Sequence, residues 1–238
     1  MRRWNWKKAG AACALVLLML LVLLGAAERR PVLSGEAIWD SAAQSVFYVR
    51  SLDGNGDLKT SGSGFTVTPE GLAVTASHVI RGASQVNVVL PEGRELAKVE
   101  VLSRDDVTDV ALLRLPEREG GYPYLSVEAQ APKTGEAVYA IGYPLKTVKI
   151  ISDGVVCSQV SPINGYDRLL VSADFASGMS GGPVLCEHGG VAGIVSATVR
   201  TMNGVSISPT TKQLNEAIER QTQAEEAAKA AERSVEAP

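Results

Sequence analysis

Short runs of β-branched and apolar residues, broken by Gly, Asn, Asp or Pro, recur along the chain from Gln44 to Ser208. They read "QSVFYVRS", "GFTVT", "LAVTAS", "SQVNVVL", "KVEVL" and "DVALLRL", and then "EAVYAIGY", "KIISDGVVCSQV", "RLLVSAD", "GPVLC", "GVAGIVSATV" and "VSIS". Runs of this length and composition predict strands, and no helical periodicity interrupts them. The polar stretch from Pro116 to Lys133, "PEREGGYPYLSVEAQAPK", separates six runs from six. The expectation is an all-β body over residues 44–208, built as two six-stranded antiparallel β-barrels at about 44–115 and 134–208. A site then belongs in the cleft between them, with residues from both halves.

Both ends have a different texture. After Pro209 the sequence "TTKQLNEAIERQTQAEEAAKAAER" is dominated by strong helix formers, with Thr210 or Thr211 as a cap and Leu214, Ala217 and Ile218 on one face. Residues 209–238 therefore predict a C-terminal helix and tail, its first turns docked on the second barrel. Beyond Arg220 the apolar stripe fades to alanine, which leaves either a solvated helix or one that binds a protein partner. At the other end, Arg2, Arg3, Lys7 and Lys8 flank an uncharged run of nineteen residues from Ala9 to Ala27. That is close to the about 20 residues needed to cross a bilayer as a helix. Residues 1–8 read as a cytoplasmic basic flank, 9–27 as a single transmembrane anchor and 28–43 as a linker. The basic flank orients the body outside the cytoplasm. A cleavable signal segment, with small Gly25 and Ala27 before Glu28, is the alternative and makes the body secreted.

Charge and cysteine content narrow the chemistry. The chain carries 23 basic and 26 acidic side chains, and residues 1–27 hold four of the basic ones and none of the acidic, so the body has a formal charge of −7. With no dense basic stripe, that sign argues against nucleic acid as a partner. Cys157 and Cys186 are the cysteines of the body, too few for a thiolate metal framework, and are either a disulfide or two buried thiols. "DGNGD", residues 53–57, imitates the start of a calcium loop but has Leu58 where glycine is required and Gly64 where a carboxylate is required, so it reads as a hairpin turn. No metal and no cofactor is expected.

The stretch "DFASGMSGGPVL" places Gly178, Gly181 and Gly182 around Ser180 at the edge of a buried run. Glycine inside regular structure costs about 0.5–1 kcal/mol relative to alanine, so the cluster implies tight turns or close backbone approach. A serine there is a candidate nucleophile, and a serine needs a base, which in turn needs an orienting group. Of the two histidines, His78 ends the apolar run "LAVTA", whereas His188 lies in the turn "CEHGG". Asp109 immediately precedes the run "VALLRL", while Asp105 and Asp106 lie further out. The candidate triad is His78, Asp109 and Ser180, with the Gly178 and Ser180 backbone N–H groups as oxyanion donors. "GMSGG" also fits the nucleophile elbow of α/β-hydrolases, but that fold needs helices between strands, and no aspartate follows Asp174 while the only histidine after Ser180 is His188, adjacent to Glu187 and eight residues from the serine.

The segments "SGSGFTVTPEGLAVTASHVI", "DVALLRL" and "GMSGGPV", in that order, resemble the trypsin-like (chymotrypsin-fold) serine peptidases, in particular their membrane-tethered or periplasmic HtrA-like branch. The resemblance spans about Ser45 to Lys212. It implies two perpendicular barrels with the triad in the cleft, and a serine endopeptidase that hydrolyses exported or misfolded proteins through an acyl-enzyme. It further implies that the strand from Gly193 to Thr198, with Ser196, Ala197 and Thr198, pairs with an extended substrate backbone. By the same likeness Asp174, six residues before Ser180, sits where trypsin-like enzymes place the acid that selects basic side chains, but loops of the HtrA-like branch differ in length there, which favours a turn or surface role. Met179 stands where digestive relatives carry an activating aspartate, so no such activation is expected. HtrA-like enzymes usually continue into a PDZ domain, where the alanine-rich helical stretch is expected here, so the substrate delivery and trimeric regulation of that branch are not carried over. A non-cleaving peptide-binding sensor or adaptor on the same scaffold is the rival function.

Overall fold

The "DGNGD" stretch folds as the turn that starts the first sheet. Asp53 Oδ1 accepts hydrogen bonds from the backbone N–H groups of Asn55 (2.9 Å) and Asp57 (3.0 Å), and Asp53 N–H donates to the Asp57 carbonyl (2.9 Å). It joins β1 (Val46–Leu52) to β2 (Leu58–Thr66). The computed structural model describes residues 30–199 and 202–235. The transmembrane segment expected at 9–27 lies outside the described residues, among which no helix is long and apolar enough to cross a membrane. From Leu33 onward the described residues form one compact unit.

The first half continues with β3 (Leu72–Ala76), β4 (Gln85–Val89), β5 (Glu95–Leu96), β6 (Glu100–Asp105) and β7 (Val110–Arg114). Its antiparallel sheet runs in the order β5-β4-β1-β2-β3-β7-β6. The second half contains β8 (Ala137–Gly142), β9 (Ile150–Ile163), β10 (Tyr166–Val171), β11 (Pro183–Cys186), β12 (Val191–Ile194), β13 (Ala197–Thr198) and β14 (Ser206–Pro209), ordered β12-β11-β8-β9-β10-β14-β13. The fold is mostly β in two halves, as expected, but each sheet has seven strands rather than six. The added strands are two residues long, below what periodicity detects. β5 is hidden in the turn-like "GREL", and the single run "GVAGIVSATV" divides into β12 and β13. It divides because Val195 turns aside to pair with the glycine loop: its N–H donates to the Gly182 carbonyl (2.8 Å) and its carbonyl accepts from Gly181 N–H (2.7 Å).

Alternation fills the interior. Phe47, Phe65, Leu112 and Leu113 are fully or almost fully buried in the first half, and this core continues into Ile141, Leu185 and Ile194 of the second. A smaller cluster, including Val138, Leu169, Val184 and Met179, lies within the second half. The stretch 28–43, expected as a linker, contains α1 (Gly35–Ala42). Ser34 caps it, its Oγ accepting from Ala37 N–H (3.2 Å), and Ile38 and Ala42, four positions apart, are fully buried. A single helical stripe of two residues was too short to register against its polar surroundings. Both cysteines are free thiols, but only Cys186 is buried as expected; Cys157 is exposed, on the outward side of β9 where it packs against no core. His188 lies in the β11–β12 turn, where Gly189 N–H donates to the Cys186 carbonyl (2.9 Å).

The C-terminal helix is α3 (Thr211–Val235). Thr210 and Gln213 form a reciprocal capping box: Gln213 Oε1 accepts from Thr210 N–H (2.9 Å) and Thr210 Oγ1 from Gln213 N–H (3.3 Å). Leu214 is fully buried and Asn215 Nδ2 donates to the Glu128 carbonyl (2.7 Å). Further along, Glu225 pairs with Arg114 at the end of β7, so the helix starts on one half and is tied to the other. Thr210→Ala removes one arm of the box and is expected to lower stability by about 1 kcal/mol. A lower urea midpoint with an unchanged slope of the transition is the corresponding result.

Candidate active site

β3 is buried along its whole length and delivers His78 on the short turn α2 (Ser77–Ile80). β7 pairs with β3 in a register that sets Val110 opposite Ala76, so the residues flanking these positions, Asp109 and Ser77–His78, emerge at the same sheet end. Asp109 takes both roles available to a carboxylate. Its Oδ1 accepts from the His78 backbone N–H (2.9 Å), and its Oδ2 lies 2.8 Å from His78 Nδ1. The Ser196 hydroxyl donates to the same Oδ2 (2.5 Å), and the Ser77 backbone N–H donates to the Asp109 carbonyl (3.1 Å). The backbone adopts φ +65° to allow this, a left-handed conformation costing about 1–2 kcal/mol for an L-residue, less for aspartate than for most.

The Asp109 side chain is only 13% exposed while His78 remains 38% exposed, so the carboxylate is enclosed and the imidazole is open to solvent. Burial alone raises the Asp109 carboxyl. The hydrogen bond and charge of His78, the Ser196 hydroxyl and the His78 N–H outweigh it and hold the group below the ordinary carboxylate value. Outside it, the Ser77 hydroxyl donates to Asp106, and that bond, with Arg104 and Arg81, lowers the Asp106 carboxyl as well.

Ser180 sits in a loop held by three paired N–H groups: Met179 donates to Ala176 O (3.0 Å), Gly181 to Val195 O (2.7 Å) and Gly182 to Met179 O (2.9 Å). Between them, among the described residues, Gly178 and Ser180 N–H have no protein acceptor. These are the two donors expected to face an oxyanion. Gly178 has φ +95° and Gly181 +86°. A Cβ on Gly181 falls 2.3 Å from the Ser63 carbonyl, which explains the glycine by close approach as well as by dihedral. Met179 is fully buried in the second core. No hydrogen bond joins the His78 ring to the Ser180 hydroxyl among the described residues.

Sequence reasoning missed Ser63, which links the halves at this loop. Its Oγ donates to Gly178 O (2.9 Å) and accepts from Tyr143 N–H (2.9 Å), and its N–H donates to Ser180 O (2.7 Å). The signal available was a serine between Gly62 and Gly64 in "SGSGF", small residues where two chains touch. Ser196, expected to bind substrate, points its side chain at Asp109, while Ala197 and Thr198 form the exposed edge strand β13. Asp174 is exposed, with its backbone N–H bonded to Ser152 Oγ (3.1 Å), and its carboxylate makes no ion pair among the described residues.

The family model described as a trypsin-like peptidase domain matches residues 62–194, more than half of the chain. The chain belongs to this family. Relatives of the trypsin-like domain include the serine endoprotease DegS of Escherichia coli (strain K12), 31% identical over 156 residues that cover 62% of this chain and 43% of that protein. The mitochondrial serine protease HTRA2 of Bos taurus is 32% identical over 169 residues, 68% of this chain and 36% of the other. An uncharacterized protein, y4bJ, of Sinorhizobium fredii (strain NBRC 101917 / NGR234) is 29% identical over 157 residues, 64% of this chain and 24% of that one. The matched segments thus span less than half the length of these curated relatives. The crystal structure of the serine endoprotease from Yersinia pestis shares the fold, with a TM-score of 0.69 at 24% identity over 80% of this chain and 67% of that one.

Two outcomes follow for the trypsin-like domain. The stabilisation that Asp109 gains from its depressed pKa is complete above the ordinary carboxylate range and is lost as pH falls through the lowered value. Ser196→Ala weakens that depression, so the acid-side loss of stability is expected to begin at higher pH, with about 1.5–3 kcal/mol lost near neutrality. Urea midpoints measured from pH 7 to pH 3 read both effects. Gly181→Ala is expected to cost about 3 kcal/mol or more in the same assay, since the Cβ meets backbone on a strained dihedral.

Proposed function

We propose that this chain is a serine endopeptidase acting on polypeptides, with His78, Asp109 and Ser180 as its triad and the Gly178 and Ser180 amides as its oxyanion donors. The observation that carries the reading is the glycine loop itself, where the Gly178 and Ser180 amides that the chemistry requires have no protein acceptor among the described residues, while Met179, Gly181 and Gly182 beside them are paired. With Nδ1 engaged by Asp109, the His78 Nε2 is the ring nitrogen available to Ser180. Ser180 Oγ attacks the peptide carbonyl while Nε2 takes its proton. The carbonyl oxygen then carries the negative charge toward the two amides, where each donor contributes about 2.7–4 kcal/mol in the transition state. Collapse breaks the C–N bond, His78 returns the proton to the leaving amine, and water hydrolyses the acyl-enzyme by the same route. Asp109 keeps the imidazole in one tautomer and stabilises its protonated form.

The exposed edge strand β13 offers backbone groups to an extended substrate, the mode of recognition that an unpaired sheet edge favours. Asp174, exposed six residues before Ser180, is the acid available to a basic substrate side chain. The apolar run 9–27 makes a membrane anchor with the body outside the cytoplasm part of the same reading. So is a protein partner on the exposed face of α3.

One observation favours the rival, a peptide-binding sensor or adaptor that does not cut: the His78 ring and the Ser180 hydroxyl are not hydrogen-bonded. Such bonds are often long before substrate binds, which keeps the peptidase reading first. A fluorophosphonate probe separates the two, because it reacts only with an activated serine beside a formed oxyanion site. Wild-type labelling that is lost in both Ser180→Ala and His78→Ala is expected. A folded wild type that captures peptides yet takes no label establishes the sensor instead.

A further inference from the structure

Arg168 belongs to the second half, on β10, yet its guanidinium reaches the turn of the first half that ends at Asp109. Its Nη1 donates to the Thr108 carbonyl (3.2 Å) and its Nη2 to the Val107 carbonyl (2.6 Å). The residue is paired on both sides within its sheet, opposite Ser161 of β9 and Pro209 of β14. Its guanidinium carbon also lies 5.8 Å from the centroid of the Tyr166 ring, two positions earlier on the same face. The base of the side chain is therefore fixed by one half while its end grips the other.

The turn it grips is held from two directions. Asp105 Oδ1 accepts from the N–H groups of Val107 (2.8 Å) and Thr108 (3.3 Å), and the carbonyls of the same two residues accept from Arg168. The Thr108 carbonyl belongs to the peptide plane whose nitrogen is that of Asp109, so turning that plane is a change in the φ of Asp109. That angle is +65°, a conformation an aspartate keeps only where its surroundings hold it. The peptide on the other side is held through the Asp109 carbonyl by Ser77 N–H. Both peptides of Asp109 are thus fixed, one of them across the cleft.

We propose that Arg168 is a positioning residue for the His78–Asp109 pair: by holding the 108–109 peptide from the opposite half, it keeps both carboxylate oxygens on His78. The catalytic meaning of this rests on the peptidase reading, but the positioning itself is measurable without turnover. Lysine is a poor replacement, since it keeps the charge and lacks the planar fork that meets two carbonyls at once.

The test compares full-length wild type, Arg168→Ala and Arg168→Lys. Solvent exchange of the His78 Nδ1 proton, followed by nuclear magnetic resonance, reads the hydrogen bond to Asp109. Exchange of the backbone amides of Leu112 and Val184 reports whether each sheet is intact. In parallel, fluorophosphonate labelling is resolved into probe affinity and inactivation rate. Arg168→Ala is expected to speed Nδ1 exchange about tenfold or more with both amides unchanged. Its inactivation rate is expected to fall about ten- to a hundredfold at unchanged probe affinity. Arg168→Lys falls between, and added guanidinium restores Arg168→Ala toward wild type. Unchanged Nδ1 exchange in Arg168→Ala overturns the proposal even if labelling proceeds, which leaves the peptidase reading standing. Faster Nδ1 exchange in a protein whose wild type takes no label does the reverse. Should the alanine variant fail to fold, the same comparison with Arg168→Lys decides, and wild-type exchange in that variant overturns the proposal.

Discussion

Everything at the cleft depends on how Ser63 joins the two halves. Its hydroxyl and N–H together engage Tyr143, Gly178 and Ser180, and its carbonyl accepts from Thr75 Oγ1 (2.7 Å), so one buried residue of β2 makes four hydrogen bonds. Each bond contributes about 0.5–1.5 kcal/mol net, but a buried partner left unpaired costs about 1–3 kcal/mol. Separating the halves leaves several such groups unpaired at once. The relative placement of the glycine loop and His78 is therefore set by polar groups that tolerate little displacement, inside a core whose apolar contacts alone would permit sliding.

Strain follows from this docking. The glycine loop must touch both the first sheet and the β8–β9 side, and it meets the Ser63 carbonyl where a Cβ on Gly181 has no room. On the facing side, Asp109 accepts an unusual dihedral so that one carboxylate reaches a backbone N–H, an imidazole and a serine hydroxyl. Both distortions lie where the two halves meet, and both are over-determined by hydrogen bonds on either side. Neither sheet by itself holds the arrangement: His78 and Asp109 come from the first, Ser180 and Ser196 from the second.

The architecture was legible because "LAVTA", "DVALLRL" and "EAVYAIGY" carry the composition of strands, and because Gly178, Gly181 and Gly182 stand out around a single serine. The pairing of His78 with Asp109 followed from their both flanking buried strands, a local signal. The rest was carried by contacts too short or too distant to show. β5 and β13 are two-residue strands, defined by their neighbours rather than by their own sequence. α1 exposes its logic only once Ile38 and Ala42 have a surface to cover. Ser63 and Arg168 look ordinary in sequence, one in a polar run and the other in "YDRLLV", since their partners lie 115 and 60 positions away. Ser196 fell within a run that reads as strand, and its hydroxyl serves Asp109 because the chain breaks from the sheet at Val195.

Met179 gives the loop a property of its own. An ionisable anchor beside Ser180 would make the loop follow pH or the creation of a charged partner. A fully buried methionine in the second core holds it by apolar contact alone, with burial of such a side chain contributing about 1.5–3 kcal/mol irrespective of protonation. On the facing wall it is the lowered carboxyl of Asp109 that acidification reaches. Acidification accordingly loosens the contacts of Asp109 before it reaches the glycine loop. In this chain the Gly178 and Ser180 amides are held in place by packing and by Ser63, and the His78–Asp109 pair by hydrogen bonds.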